Sequence, residues 1–207
     1  MEVKSDHVNI SGFSVGGATG WKSCGIYLNS VNCCKISNND CSHIWSGHGI
    51  FLNTSFNNII SNNTCSHNDY GGICLRYSDG NVISGNNCEN NEWGGISISH
   101  SNNNSILSNK CDRITITYSK NNNITNNDCI SGGIYLGDSN KNIISSNDCS
   151  NSETDCIWVL RSENNMGCTP ILYQKMFVII AIGTESVFKI QTIILYHAMN
   201  VLITMMV

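Results

Sequence analysis

One phrase, written six times, constrains this chain more than any other feature of it. KISNNDC stands at 35–41, and its kin at 58–65 (NIISNNTC), 82–88 (VISGNNC), 105–111 (SILSNKC), 123–129 (NITNNDC) and 143–149 (IISSNDC). Taking the upstream GI, or its equivalent, as position zero aligns Ile26, Ile50, Ile73, Ile96, Ile114, Ile134 and Ile157. At plus two stand Leu28, Leu52, Leu75, Ile98, Ile116, Leu136 and Val159, and at plus ten Ile36, Ile60, Ile83, Ile106, Ile124 and Ile144. Plus thirteen is Asn39, Asn63, Asn86, Asn109, Asn127 and Asn147; plus fifteen is Cys41, Cys65, Cys88, Cys111, Cys129 and Cys149. VNISGFSV at 8–15 is an earlier partial copy, with Val15 in the cysteine column. The offset from isoleucine to cysteine never changes. From a cysteine to the next isoleucine it is nine, eight, eight, three, five and eight. A fixed block with one variable loop per repeat is the mark of a solenoid.

The blocks are too short and too poor in helix formers for helical repeats. Alanine occurs only at Ala18, Ala181 and Ala198, while Ile, Val, Thr, Asn and Gly abound. That composition favours short strands and tight turns. The expected fold is therefore all-β: a right-handed parallel β-helix of about seven coils over residues 1–168, with an apolar tail over 169–207. Coils in register lie about 4.8 Å apart, so each inward position repeats as a column along the axis. The cysteine column reads as small, buried, apolar thiols, with disulfides or metal ligation as the alternatives. Stacked neighbours are spaced beyond the usual disulfide reach. The asparagine column reads as a ladder of amides that satisfy one another at a buried turn.

GIYLNSVNCCKISNNDC, GIFLNTSFNNIISNNTC and GIYLGDSNKNIISSNDC, together with VNISGFSV, resemble the right-handed β-helix repeat proteins of the NosD type. These belong to a wider group of carbohydrate-binding and sugar-hydrolysing β-helices. The resemblance covers about residues 8–165 and speaks chiefly to fold, because the repeated residues are those that build coils. It implies three roles met in that group: accessory work in periplasmic copper handling, residence on cell surfaces, and cleavage of polysaccharides. The asparagine richness is similar to that of archaeal surface proteins, of which this chain would be a fragment.

Function has to use what points outward. Tyr27, Phe51, Cys74, Ser97, Thr115, Tyr135 and Trp158 form the outward column between the paired inward residues, and the adjoining loops add Trp21, Trp45, Tyr70 and Trp93. Rings along one face suit stacking on sugars, although β-forming aromatics also simply cover a strand. For a metal, His43 and His67 lie two residues after column cysteines in adjacent coils, with His48 and Asp69 in the same loops. Imidazoles with a carboxylate suit copper(II) or zinc, and Cys24, Cys33, Cys34 and Cys74 lie off the column as softer donors. The acids Asp69, Glu89, Glu92, Asp112, Glu153 and Asp155 form no column with one another, and Arg76 follows a strand; Asp128 and Asp148 do align. Nothing here has the paired-carboxylate signature of sugar cleavage, so no catalytic residue is assigned.

The formal charge of −4, with no Lys/Arg run, disfavours nucleic acid as a partner. MEVKSDHVNISGFSV lacks the basic and apolar regions of a signal peptide. The tail from 169 reads as a membrane anchor, a cap on the open end of the stack, or a disrupted reading frame. The functional expectation is a non-catalytic repeat module of the cell envelope, carbohydrate-binding or structural, that needs no cofactor. Its partners would be a glycan, other envelope proteins, the missing portions of a longer chain, or a membrane reached through the tail. A periplasmic copper-handling accessory and a polysaccharide lyase or hydrolase are the alternatives.

Overall fold

The computed structural model describes residues 1–18, 23–152 and 156–165, and the backbone of three strands beyond them. It is a parallel β-solenoid. Eight strands of the larger, twelve-stranded sheet run parallel and in sequence order: Glu2–Val3, Ser23–Asn29, Gly47–Asn53, Gly71–Arg76, Gly94–Ser99, Lys110–Thr117, Asp128–Gly137 and Ile157–Leu160. The second sheet stacks seven three-residue strands, from Asn9–Ser11 to Ile143–Ser145. The register is that of the columns. Ile50 pairs with Ile73, Ile96 with Ile114, and Ile36 with Ile60. A third, shorter side is tied by the bridges Asp40 to Thr64, Thr64 to Asn87, and Asp128 to Asp148.

Alternation along each strand puts the zero, plus-two and plus-ten residues inside. Ile26, Leu28, Ile36, Ile50, Leu52, Ile60, Ile73, Leu75 and Ile83 are all fully buried. Each contributes roughly 1.5–3 kcal/mol of burial. The column cysteines are buried with them. Glycine precedes the anchor isoleucine because the cysteine column leaves no room there. A Cβ on Gly72 would sit 2.7 Å from Cys88 Cβ, and one on Gly95 closer still.

The corners between strands are left-handed residues at fixed offsets. Plus twelve is Asn38, Asn62, Gly85, Ser108, Asn126 and Ser146, and every one has positive φ. Asn and Gly tolerate that region best, which accounts for much of the asparagine. The residue after this corner turns its amide inward. Asn39 Nδ2 donates to Asn63 Oδ1 at 3.0 Å, and Asn39 N donates to the same oxygen at 2.9 Å. Asn63 Nδ2 in turn donates to Ile36 O, one coil back, and to Asn86 Oδ1. The pattern continues through Asn109 and Asn127 to Asn147. A second amide ladder runs from Asn58 through Asn81, Asn104, Asn122 and Asn142 to Asn165. Beside it, Ser55, Ser78, Ser101, Ser119, Ser139 and Ser162 hand backbone N–H groups to hydroxyls coil by coil.

Cys149 departs from the expected stack of thiols: it is in a disulfide with Cys156. Column neighbours lie beyond the usual disulfide reach, whereas Cys156 stands just before Ile157, where most other coils carry glycine. Beyond the last coil, Met176–Ile182 adds to the larger sheet parallel to Ile157–Leu160, and Lys189–Leu195 and Leu202–Ile203 follow antiparallel. Among the described residues no helix is long and apolar enough to cross a membrane. The side chains of the tail, like Trp21, Glu153 and Asp155, lie outside the described residues.

Asn86→Ala removes an acceptor of two N–H groups and a donor to two oxygens in mid-ladder. Leaving those buried groups unpaired is expected to lower stability by about 3 kcal/mol, read as a shift of the urea midpoint at unchanged slope.

Candidate functional site

The larger sheet turns two outward columns to its exterior. One is Glu2, Tyr27, Phe51, Cys74, Ser97, Thr115, Tyr135 and Trp158; the other is Asn29, Asn53, Arg76, Ser99, Thr117, Gly137 and Leu160. Their sole carboxylate, Glu2, is paired with Lys4 at 3.0 Å. Coil-on-coil stacking brings the rings together. Tyr27 lies flat on Phe51 at 5.3 Å between centroids, and Tyr70 on Trp93 at 4.2 Å. The His48 ring, 5.6 Å from Phe51 and 5.5 Å from Tyr70, joins the two pairs into a run of five. Tyr135 meets Trp158 edge-on at 5.8 Å.

A ring stacked on its neighbour has a face already covered. Tyr27, Phe51 and Tyr70 are half-buried in this way, and Tyr135 is half-buried against the edge-on Trp158. Trp45, Trp93 and Trp158 are the more open ones, with 58%, 63% and 46% of their surface exposed, Trp93 despite resting one face on Tyr70. A further ladder, absent from the sequence reading, runs along the plus-four corner: Tyr77, His100 and Tyr118 lie 5.0 and 4.9 Å apart. Arg76 sits over Tyr77 at 5.3 Å.

Arg113 was also missed. It occupies the glycine position before Ile114, at the shortest loop of the chain, and the sheet register shifts between Cys111 and Arg113. Its Nη2 donates to Trp93 O at 3.1 Å. The signal lay in the sequence: Gly25, Gly49, Gly72, Gly95 and Gly133 hold the same position in other coils.

The proposed metal ligands divide. His43 and His67 are exposed and stacked, 5.2 Å between centroids and 2° from parallel. Rings so arranged aim their nitrogens side by side, while two ligands on one ion at about 2.0–2.1 Å must converge to within about 4 Å. His48 accepts Gly71 N–H on Nδ1 at 3.0 Å, and Asp69 Oδ2 accepts Ser46 N–H at 2.7 Å. The softer donors do no better. Burial pushes the Cys74 thiol up to about 12 and raises Cys24, and Cys34 is buried with its Sγ against Ser5 O and Asn32 O, whereas Cys33 is exposed. Among the described residues no group of three or more such side chains could hold a metal ion, so these residues as arranged do not fit copper.

Most of the acids are occupied structurally, while Glu92 is exposed beside Trp93. Asp112 accepts the N–H groups of Asn90 and Asn91, Glu89 pairs with Lys110 at 2.9 Å, and Asp138 with Arg161 at 2.8 Å. Asp128 and Asp148 do meet, on the third side of the coil rather than beside the rings. Burial, then the charge of Asp148, raises the Asp128 carboxyl.

The sequence profile of a family described as "Periplasmic copper-binding protein (NosD)" matches residues 3–111, more than half of the chain. The chain belongs to the NosD family. No curated protein sequence matches it. Among solved structures, this NosD-family chain is similar to a double mutant of the periplasmic alginate epimerase AlgG, with a TM-score of 0.64 and 18% identity over 78% of this chain and 44% of that one. It is also similar to the A-module of mannuronan C-5 epimerase AlgE4 from Azotobacter vinelandii, with a TM-score of 0.50, 14% identity, and coverage of 86% and 56%. Tailspike protein 2 of the Escherichia coli O157:H7 bacteriophage CAB120 matches with a TM-score of 0.51 and 10% identity, over 78% of this chain and 32% of that one. These likenesses are of fold, and the chain spans less than half the length of AlgG.

Burial holds the His48 imidazole neutral, with its pKa lowered from 6.5 to about 4. Stability from the neutral ring is therefore complete above pH 6.5 and is lost as pH falls from 6.5 through 4. Between pH 7 and 4.5 the wild type is expected to lose up to about 2.5 kcal/mol more than His48→Gln. Urea midpoints at the two pH values measure the difference.

Proposed function

We propose that this NosD-family β-helix is a non-catalytic module of the cell envelope that binds carbohydrate on the outer face of its larger sheet. The observation that carries the reading is the set of open indoles, Trp45, Trp93 and Trp158, beside a nearly carboxylate-free pair of outward columns. An indole with a free face offers apolar area to the C–H side of a sugar at small entropic cost. The fold shared with alginate epimerases and a tailspike supports the reading only as a scaffold, because fold does not fix function. The engagement of Asp69, Asp112, Glu89 and Asp138 in caps and ion pairs supports binding over cleavage. The family's description, a periplasmic copper-binding protein, supports an envelope role.

Copper handling is the second reading, favoured by the family's description and by the adjacency of His43 and His67. One ring would have to swing out of the stack before both could share an ion.

Affinity electrophoresis through gels loaded with soluble neutral β-glucan, galactomannan or polyuronate tests the first reading. The chain is expected to be retarded by at least one polymer, with Trp93→Ala and Trp158→Ala each weakening retention about three- to tenfold and Ser97→Ala leaving it unchanged. No retardation, or retardation indifferent to both tryptophans, overturns it. Anaerobic titration with copper is expected to show no tight site; one ion per chain, lost in His43→Ala/His67→Ala, puts the copper reading first.

A further inference from the structure

Arg113 is an exposed cation bonded to the backbone of an exposed tryptophan, Trp93, and the chain makes room for it in three ways. The preceding loop is cut to the minimum, so that Arg113 stands where glycine stands in the coils on either side. The register shift there re-aims the residue outward, as bulges commonly do beside functional sites. Glycines then flank its side chain. A Cβ on Gly132 would lie 3.0 Å from Arg113 Cβ and 3.2 Å from Cδ, and one on Gly94 would lie 3.4 Å from Nε. Any other residue at Gly132 would press on the arginine stem.

The guanidinium spends one of its five N–H donors on Trp93 O. It joins none of the ion pairs among the described residues. The neighbouring Asp112 uses both oxygens on backbone N–H groups of the coil below. A charged, planar fork anchored on the backbone of Trp93, whose indole is stacked on Tyr70 on one side and still 63% exposed, is suited to a ligand with an apolar ring face and a carboxylate on the same unit.

Resting on the carbohydrate reading above, we infer that Trp93 and Arg113 together form a subsite for an acidic sugar, the ring stacking on Trp93 and the carboxylate bonded by Arg113. A neutral sugar would meet the same indole but leave the guanidinium without its partner. The chain's net charge of −4 opposes polyanions in general, so any preference for an acidic polymer must arise locally. The hydrogen bond to Trp93 O offers a purely structural role for Arg113, in which the arginine only holds the Trp93 loop. The two roles differ in what they predict for neutral ligands.

The test compares polygalacturonate with its full methyl ester, which keeps the backbone and removes the charge, using the whole chain in affinity electrophoresis at two salt concentrations. Wild type is expected to hold the acid at least about tenfold more tightly than the ester, with the difference shrinking at high salt. Arg113→Gly, which restores the residue found in neighbouring coils, should erase that preference while leaving ester binding and the thermal midpoint unchanged. Arg113→Lys should keep part of it, and Trp93→Ala should lose both polymers. Equal binding of acid and ester by wild type overturns the subsite and leaves the carbohydrate reading standing. Parallel loss of both polymers in Arg113→Gly also overturns it, in favour of the loop-holding role. Binding of neither polymer by wild type overturns the subsite, and the carbohydrate reading then stands or falls with the neutral glucan and galactomannan.

Discussion

At every coil the chain must turn through left-handed corners while burying the backbone that follows, and the asparagine side chain of the next coil resolves that conflict. The Oδ1 of Asn63 accepts both the backbone and the side-chain N–H of Asn39, and its Nδ2 reaches back to Ile36 O. One amide thus serves three groups that burial would otherwise leave unpaired, at roughly 1–3 kcal/mol each. The bond works only if successive coils stay in register, so the ladder fixes the pitch as well as the turn. The second amide ladder from Asn58 to Asn165 and the serine row beside it do the same at the opposite corner. The regular spacing of everything on the outside follows from these inner bonds.

That spacing has a consequence for function. Aromatic residues at one position in successive coils stack on each other, as Tyr27 does on Phe51, and a ring covered on both sides is no longer open to a ligand, whereas Trp93, stacked on Tyr70 on one side, stays 63% exposed. Open faces appear where the regularity is broken. Trp45 and Trp93 sit in the variable loops, and Trp158 meets Tyr135 edge-on in the last of the coils. Arg113 owes its place to the shortest of those loops. In this NosD-family protein the constant part of each coil builds the scaffold, and the irregular part supplies most of the residues on which the proposed binding rests.

The scaffold was legible because every column is a claim about several coils at once. Six isoleucines, six asparagines and six cysteines at fixed offsets leave one parallel arrangement, and their burial follows from it. The site was less legible, because a column says which way a side chain points and not what already occupies it. The pair His43 and His67 does come together, but as stacked rings, and His48 is taken by the Gly71 N–H. Cys149 sits in its column and yet bonds Cys156, a residue that counting along the cysteine column passes over. Arg113 could have been found by asking which coil breaks the glycine column, a question put to the exception rather than to the pattern.

The central claim is that the asparagine ladders hold the stack together, and native-state hydrogen exchange tests it at single residues. The backbone amides of Asn39, Asn63, Asn86, Asn109 and Asn127 donate to side-chain oxygens of the next coil rather than to a strand. If those bonds are the framework, these corner amides exchange only through the same large opening that frees Ile50 and Ile73 in the sheet, with equal free energies. Exchange of the corner amides through local fluctuations, while the sheet amides stay protected, would show that the strands carry the stack and the ladder merely decorates it.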